Sequence, residues 1–159
     1  MAPDVPFETT LFVRDNCLCL HIQRAARTLA RFFDEALRDV GLTNGQFSLL
    51  MSLNRPTMPS IGSVASLLAT DRTTLTAALK PLERRGLIKI VVQADDKRRR
   101  LLKLTPNGRK VLARAVPLWR HAHAKAEAVL GESKVDLLRG SLEALAVLGD
   151  DPVEDVRTD

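Results

Sequence analysis

The sequence predicts a mainly α-helical chain with one small β-hairpin, and three observations carry that expectation. Apolar residues recur at steps of three and four along most of the length, the period of an amphipathic helix. Two short runs rich in leucine and β-branched residues, 87–92 and 101–104, flank a charged turn at 93–100, the pattern of a hairpin. Capping residues and glycines stand where the periodic segments begin and end.

Taken in order, residues 11–40 predict one long helix, because Leu18, Ile22, Ala25, Leu29, Phe32 and Ala36 form a continuous stripe that Gly41 ends. Thr43 caps a second helix running from Asn44 to about Leu53, with Phe47, Leu50 and Met51 facing inward, before Arg55 and Pro56 break it. Ser60 caps a short third helix with Ile61, Val64, Leu67 and Leu68. Beyond the turn Leu68-Ala69-Thr70, Asp71 caps a fourth that carries Leu75, Ala78, Leu79 and Leu82 to Gly86, a residue suited to a left-handed helix terminus. Pro81 lies inside it and removes one backbone donor. After the hairpin, Thr105 and Pro106 open a helix to about residue 130, the proline at the first position, where a missing N–H costs nothing. Pro117 is expected to kink it. A last amphipathic helix with Val135, Leu138, Leu142 and Leu145 precedes an acidic tail at 150–159.

A chain of 159 residues with 45% hydrophobic and 27% charged residues fits one globular domain with a real core. No apolar run approaches the roughly 18–20 residues of a membrane span, and the first ten residues lack the basic and apolar regions of a signal peptide, so a cytoplasmic protein without membrane contact is expected. Aromatic residues make up 4% and tyrosine is absent, which disfavours single-strand binding by base stacking. The net charge is +5, but between Asp71 and Lys110 twelve basic residues face four acids, a local +8, so the rest of the chain carries −3. A cationic middle on acidic flanks predicts a phosphate-binding surface.

Two short helices joined by a tight turn and followed by a basic hairpin are the order of a winged helix-turn-helix, whose second short helix enters the major groove of double-stranded DNA. The start of that helix offers Arg72, Thr73, Thr74 and Thr76, with Lys80 further along, to base edges and phosphates. Plain capping chemistry is the competing explanation for Asp71, Thr73 and Thr74. The hairpin would be the wing.

The chain resembles the MarR family of dimeric bacterial transcription regulators from about Leu18 to Leu145. Gly41-Leu42-Thr43, Gln46-Phe47-Ser48-Leu49-Leu50, Thr74-Leu75-Thr76, Leu82-Glu83-Arg84-Arg85-Gly86-Leu87-Ile88, Asp96-Lys97-Arg98, Leu104-Thr105 and Gly108 carry the resemblance. It implies a homodimer with interlocking terminal helices, about 10–40 and 105–149, and two DNA-binding lobes, about 43–104, on a near-palindromic operator, usually as a repressor. Within the single 1–159 domain so implied, the wing's Arg98, held by Asp96, would reach the minor groove, with Lys97 and Arg99 beside it. Many relatives carry arginine directly after the threonine at 76, whereas this chain has Ala77, which shifts weight to Arg72, Lys80 and the wing. Independently, the apolar stripes of the terminal helices are too wide for a compact monomer to bury, which also predicts a two-fold dimer.

Cys17 and Cys19, two apart on one predicted helix, would point about 200° from each other, a poor geometry for a disulfide or a shared metal. Cys19 aligns with the reactive cysteine of the organic-hydroperoxide sensors that the family includes, but the two tyrosines of those sensors are replaced by Gln23 and Phe33. The competing expectation is a small buried cysteine at a dimer interface. His123 and Glu127 share a helix face, with His21 a remote third ligand, too few for zinc, so neither a metal nor another cofactor is expected. Phe47, Met51 and Trp119 are candidates to line a cleft for a small aromatic effector, as the resemblance implies. No phosphate loop, nucleophile elbow or carboxylate pair supports an enzyme. The alternatives to a ligand- or oxidant-released DNA-binding regulator are therefore a thiol-dependent, peroxide-consuming enzyme using Cys19 and a winged-helix scaffold for protein or RNA.

Overall fold

The computed structural model describes residues 4–92 and 100–147. Among them seven helices and one hairpin follow in the order α1 (Phe7–Asn16), α2 (Leu18–Ala36), a 3-10 turn (Arg38–Val40), α3 (Asn44–Ser52), α4 (Ile61–Leu67), α5 (Arg72–Arg84), β1 (Ile88–Val92), β2 (Arg100–Leu104), α6 (Pro106–Leu130) and α7 (Glu132–Ala146). The mainly helical fold with a small β-hairpin is as the periodicity predicts. No helix among the described residues is long and apolar enough to cross a membrane.

The helix expected over 11–40 differs in its start, its end and its continuity. The first long helix is broken at Cys17, whose backbone is extended (φ −71°, ψ 107°). Its N–H still closes α1 on the Val13 carbonyl at 3.0 Å, while its sulfur accepts the Leu20 N–H at 3.5 Å and so opens α2. Next to it the Asn16 amide donates to the Phe12 carbonyl at 2.9 Å. Asp, Asn and Cys are weak helix formers, and polar side chains that bond nearby backbone compete with helix continuation. The apolar stripe begins at Leu18, the first residue of α2, and so lies wholly beyond the break. At the far end α2 stops at Ala36, and the 3-10 turn leads into Gly41, which takes φ 67°.

The other caps form as their residue types dictate. Thr43 and Gln46 make a reciprocal capping box at α3, with both hydrogen bonds at 3.2 Å. The Ser60 hydroxyl accepts the Ser63 N–H at 3.1 Å, and Asp71 accepts the Thr74 N–H at 2.8 Å. Gly86 ends α5 at φ 66°. α5 stays helical through Pro81, and α6 through Pro117.

The strands pair antiparallel with Ile88 opposite Leu104 and Ile90 opposite Leu102, which sends one alternate set inward and leaves Lys89 opposite Lys103 outside. The Leu102 N–H donates to the Pro59 carbonyl at 2.8 Å, tying the hairpin to the residues before α4. Leu50, Val64, Leu75, Leu79, Leu82 and Leu87 are wholly enclosed, so α3, α4, α5 and the hairpin share one core. α6 begins against that core through Thr105, whose hydroxyl donates to the Gly86 carbonyl at 2.7 Å and accepts the Gly108 N–H at 3.0 Å. Met51, expected inside, is 40% exposed, and α3 buries Phe47, Leu49 and Leu50 instead.

The chain divides into two compact units, Met1–Ala122 and His123–Asp159. In the second, Arg139 pairs with Glu127 and, at 3.0 Å, with Asp136, beside the buried Val135. Leu137, Leu138 and Leu142 of α7 are exposed. In the first, Leu18, Ile22, Leu29 and Phe32 of α2 are exposed as well. Each unit thus leaves an apolar helix face uncovered in the single chain.

Candidate nucleic-acid interface

The helix-turn-helix is held by its own hydrogen bonds. α4 closes through Leu68 and Ala69, with the Ala69 N–H on the Ser66 carbonyl at 3.1 Å and the Thr70 N–H on the Ala65 carbonyl at 3.0 Å. Ala69 takes φ 47°, a left-handed conformation that costs a residue with a Cβ roughly 1 kcal/mol or more. Asp71 follows at once in extended backbone and starts α5. Leu75, Leu79 and Leu82 anchor the inner face of α5 in the core, which turns Arg72, Thr73, Thr76, Ala77 and Lys80 outward along one shallow surface.

Within this surface each side chain has a defined state. Arg72 lies across α4 at Gly62, where a Cβ would come within 3.1 Å of the guanidinium. The Thr76 hydroxyl donates to the Arg72 carbonyl at 2.7 Å. The Thr74 hydroxyl donates to Asp71 at 2.5 Å, so Thr74 completes the cap, the capping role its residue type allowed. These bonds hold the Asp71 carboxyl below its usual pKa, the Thr74 hydroxyl contributing most, and keep it anionic at the positive end of the helix dipole. Thr73 and Lys80 are exposed. No acidic side chain lies among the five outward residues.

Asp96, Lys97, Arg98 and Arg99, the predicted wing contacts, lie outside the described residues. What is described of the hairpin is its stem, where Lys89 and Lys103 stand directly opposite each other and exposed. Like charges in that register repel, and a phosphate between them would relieve the repulsion. Sequence reasoning overlooked Gly62. Its signal is a glycine inside a seven-residue helix, where it costs roughly 1 kcal/mol against alanine unless a neighbour approaches closely.

The aromatic candidates also come together. Trp119 stacks on Phe47 at 5.8 Å between ring centroids and on Phe33 at 6.4 Å. Phe47, Met51 and Trp119, with Ser48, Val116 and Arg120, line an open cavity of about 460 Å³. Arg120 is the cationic residue of this lining, and the remainder is mostly apolar.

The cysteines are not on one continuous helix. Cys17, half-buried, is the cap of α2, and Cys19, exposed, is in its first turn. The expected 200° divergence therefore does not apply to this pair. Cys19 sulfur accepts the Gln23 amide at 3.2 Å, and Gln23 in turn accepts Arg27 at 3.3 Å, so a residue replacing a sensor tyrosine does supply a donor to the thiol. Expected burial of Cys19 is not seen in the single chain. His123 pairs with Glu127 at 3.4 Å, and among the described residues no three potential metal ligands converge.

Comparison with known proteins adds three findings. The MarR family model matches residues 42–99. The chain is 31% identical over 144 residues to the transcriptional activatory protein BadR of Rhodopseudomonas palustris, covering 89% of this chain and 71% of that one. Among solved structures it is similar to the M. tuberculosis transcriptional regulator MosR in complex with DNA (36% identity, 85% of this chain, 97% of that chain, TM-score 0.78). It is also similar to the transcriptional repressor CouR bound to a 23-mer DNA duplex (28% identity, 91% of this chain, 99% of that chain, TM-score 0.77).

Proposed function

From the premise that this chain belongs to the MarR family and is a DNA-binding transcription regulator, we propose that it acts in the cytoplasm as a homodimer. The dimer reads a near-palindromic double-stranded operator and lets go of it when a small aromatic ligand or an oxidant acts on the protein. The observation that supports operator reading best is the outward face of α5, where Arg72, Thr73, Thr76 and Lys80 stand together without an acid on a helix anchored by three buried leucines. Thr73 and the guanidinium of Arg72 address base edges and phosphates, Lys80 addresses phosphate, and Lys97, Arg98 and Arg99 of the wing supply further cations. The uncovered faces of α2 and α7 support pairing with a second copy, which would bring two α5 helices to half-sites roughly 34 Å apart.

Release by a ligand is supported by the 460 Å³ cavity, where Trp119, Phe47 and Met51 suit an aromatic ring and Arg120 suits an acidic substituent. Release by oxidation is supported by the exposed Cys19 with its Gln23 donor. There the thiolate would attack the outer oxygen of an organic hydroperoxide, giving a sulfenic acid and, once the leaving alkoxide is protonated, an alcohol. A second thiol would then condense with the sulfenic acid to a disulfide and water.

The test is operator binding by the full chain across a salt series. A steep fall of affinity with salt is expected, because two copies of the α5 and wing cations displace several counterions, and Arg98→Ala should weaken binding and flatten that slope. Unchanged affinity in Arg98→Ala removes the wing from the mechanism. Wild type, Cys17→Ser and Cys19→Ser with and without organic hydroperoxide decide the release step. If all three respond alike, or none does, the thiol route is wrong and the cavity remains.

A further inference from the structure

We propose that the centre of the α5 face recognises thymine methyl groups, through the methyls of Thr76 and Ala77. This rests on α5 being the operator-reading helix. The Thr76 hydroxyl is committed to the Arg72 carbonyl one turn back at 2.7 Å. With its hydroxyl turned onto the helix, the polar hydrogen of Thr76 is unavailable to a base, and the other substituent on its Cβ is a methyl group. Ala77, exposed beside it, has a methyl and nothing else. Both line the shallow surface bounded by Arg72 and Thr73 on one side and Lys80 on the other.

This arrangement selects by chemistry. Guanine is read by paired donors to O6 and N7, and adenine by a side-chain amide, and neither group stands at 76 or 77. The major-groove edge of a base pair has one apolar feature, the C5 methyl of thymine. A helix face that is cationic at its ends and methyl-lined at its centre places phosphate contacts around an apolar contact. The Arg72 guanidinium lies over Gly62 at one end of that surface. The position following Thr76 thus reads sequence by apolar contact with a base, and a longer polar side chain there would replace that contact.

The test begins with duplexes selected from a random pool by the full-length protein. In the enriched duplex each thymine of the half-site is replaced singly by deoxyuridine, which deletes the methyl and keeps the base pair, and affinity is measured by fluorescence anisotropy at one salt concentration. At one or two thymines per half-site the loss should be about fourfold, the value of one buried methyl, and larger when both half-sites are changed. Thr76→Ser keeps the hydroxyl bonded to Arg72 and removes the methyl. It should bind the thymine duplex about fourfold more weakly and no longer distinguish thymine from uracil at its position. Ala77→Gly should do the same at the neighbouring position, with circular dichroism reporting that α5 is retained. Equal affinity for every thymine and uracil pair, or undiminished discrimination in both variants, overturns the proposal. Failure to enrich any duplex overturns operator reading itself, and this proposal with it.

Discussion

Gly108→Ala and Gly45→Ala are the same chemical change with opposite expected signs. Both glycines are helical, and replacing a helical glycine by alanine normally stabilises by up to about 1 kcal/mol, less near a helix end. At Gly45, in the first turn of α3, a Cβ meets nothing within 4 Å, so the helix gain stands alone. At Gly108 a Cβ would lie 2.0 Å from the Leu87 carbonyl oxygen and 2.9 Å from Leu104. That carbonyl cannot move cheaply, because it accepts the Thr105 N–H at 3.0 Å and shares the Thr105 hydroxyl hydrogen, at 3.0 Å, with the Gly86 carbonyl. Relief requires α6 to shift away from the hairpin, breaking these bonds and opening the packing around the enclosed Leu87. Overpacking of this kind costs about 1–3 kcal/mol, and lost buried hydrogen bonds add about 1 kcal/mol each, against a helix gain near 1 kcal/mol. The net expectation for Gly108→Ala is a loss of about 2–4 kcal/mol. At about 2–4 °C per kcal/mol for this size, the melting temperature should fall by roughly 4–16 °C, while Gly45→Ala should raise it slightly. Thermal and urea unfolding at a fixed protein concentration measures both, since the stability of the proposed dimer would depend on concentration. Gly108→Ala as stable as wild type would refute the close approach of α6 to the hairpin.

Three further outcomes are expected. Ala69→Gly relieves the left-handed turn between α4 and α5 and should stabilise the protein by about 0.5–1 kcal/mol, read as a higher urea midpoint; destabilisation would show that the alanine methyl is needed there. The Asp71 carboxyl has its pKa lowered from an ordinary 3.8 by Thr74, so its contribution is complete above that value and is lost as pH falls through the lower folded value. Acid unfolding of Asp71→Asn should therefore lose part of its pH dependence below about pH 4, and curves parallel to wild type would count against the cap. Removing the residues after Gly131 deletes α7 with Val135, Leu138 and Leu142 and should give a monomeric or aggregating protein in sedimentation; an intact dimer would make α7 dispensable for pairing.

The sequence by itself determined what depends on neighbours a few residues away. Thr43, Ser60, Asp71 and Thr105 cap helices because a side-chain oxygen two or three residues before an orphan N–H needs no distant partner, and Gly41 and Gly86 end segments because only glycine takes φ near 67° cheaply. The alternation of Ile88, Ile90, Leu102 and Leu104 likewise declared one buried hairpin face, and the order of helices and hairpin declared a mainly helical winged-helix fold. Tertiary structure decided what depends on contacts far along the chain or on competition between them. The break at Cys17 was decided by a local competition that the stripe from Leu18 onward does not report, the Cys17 thiol taking the Leu20 N–H that would have continued the helix. Thr76 and Thr73 look alike in the sequence, yet the Thr76 hydroxyl is spent on the backbone while Thr73 is an exposed residue of the outward face, and only the folded α5 separates them. Gly62 became meaningful when Arg72 folded across it, and Gly108 when the Leu87 carbonyl came to rest where its Cβ would be. Local chemistry is written in order along the chain, whereas which surface two side chains share is written only in the packing that brings them together.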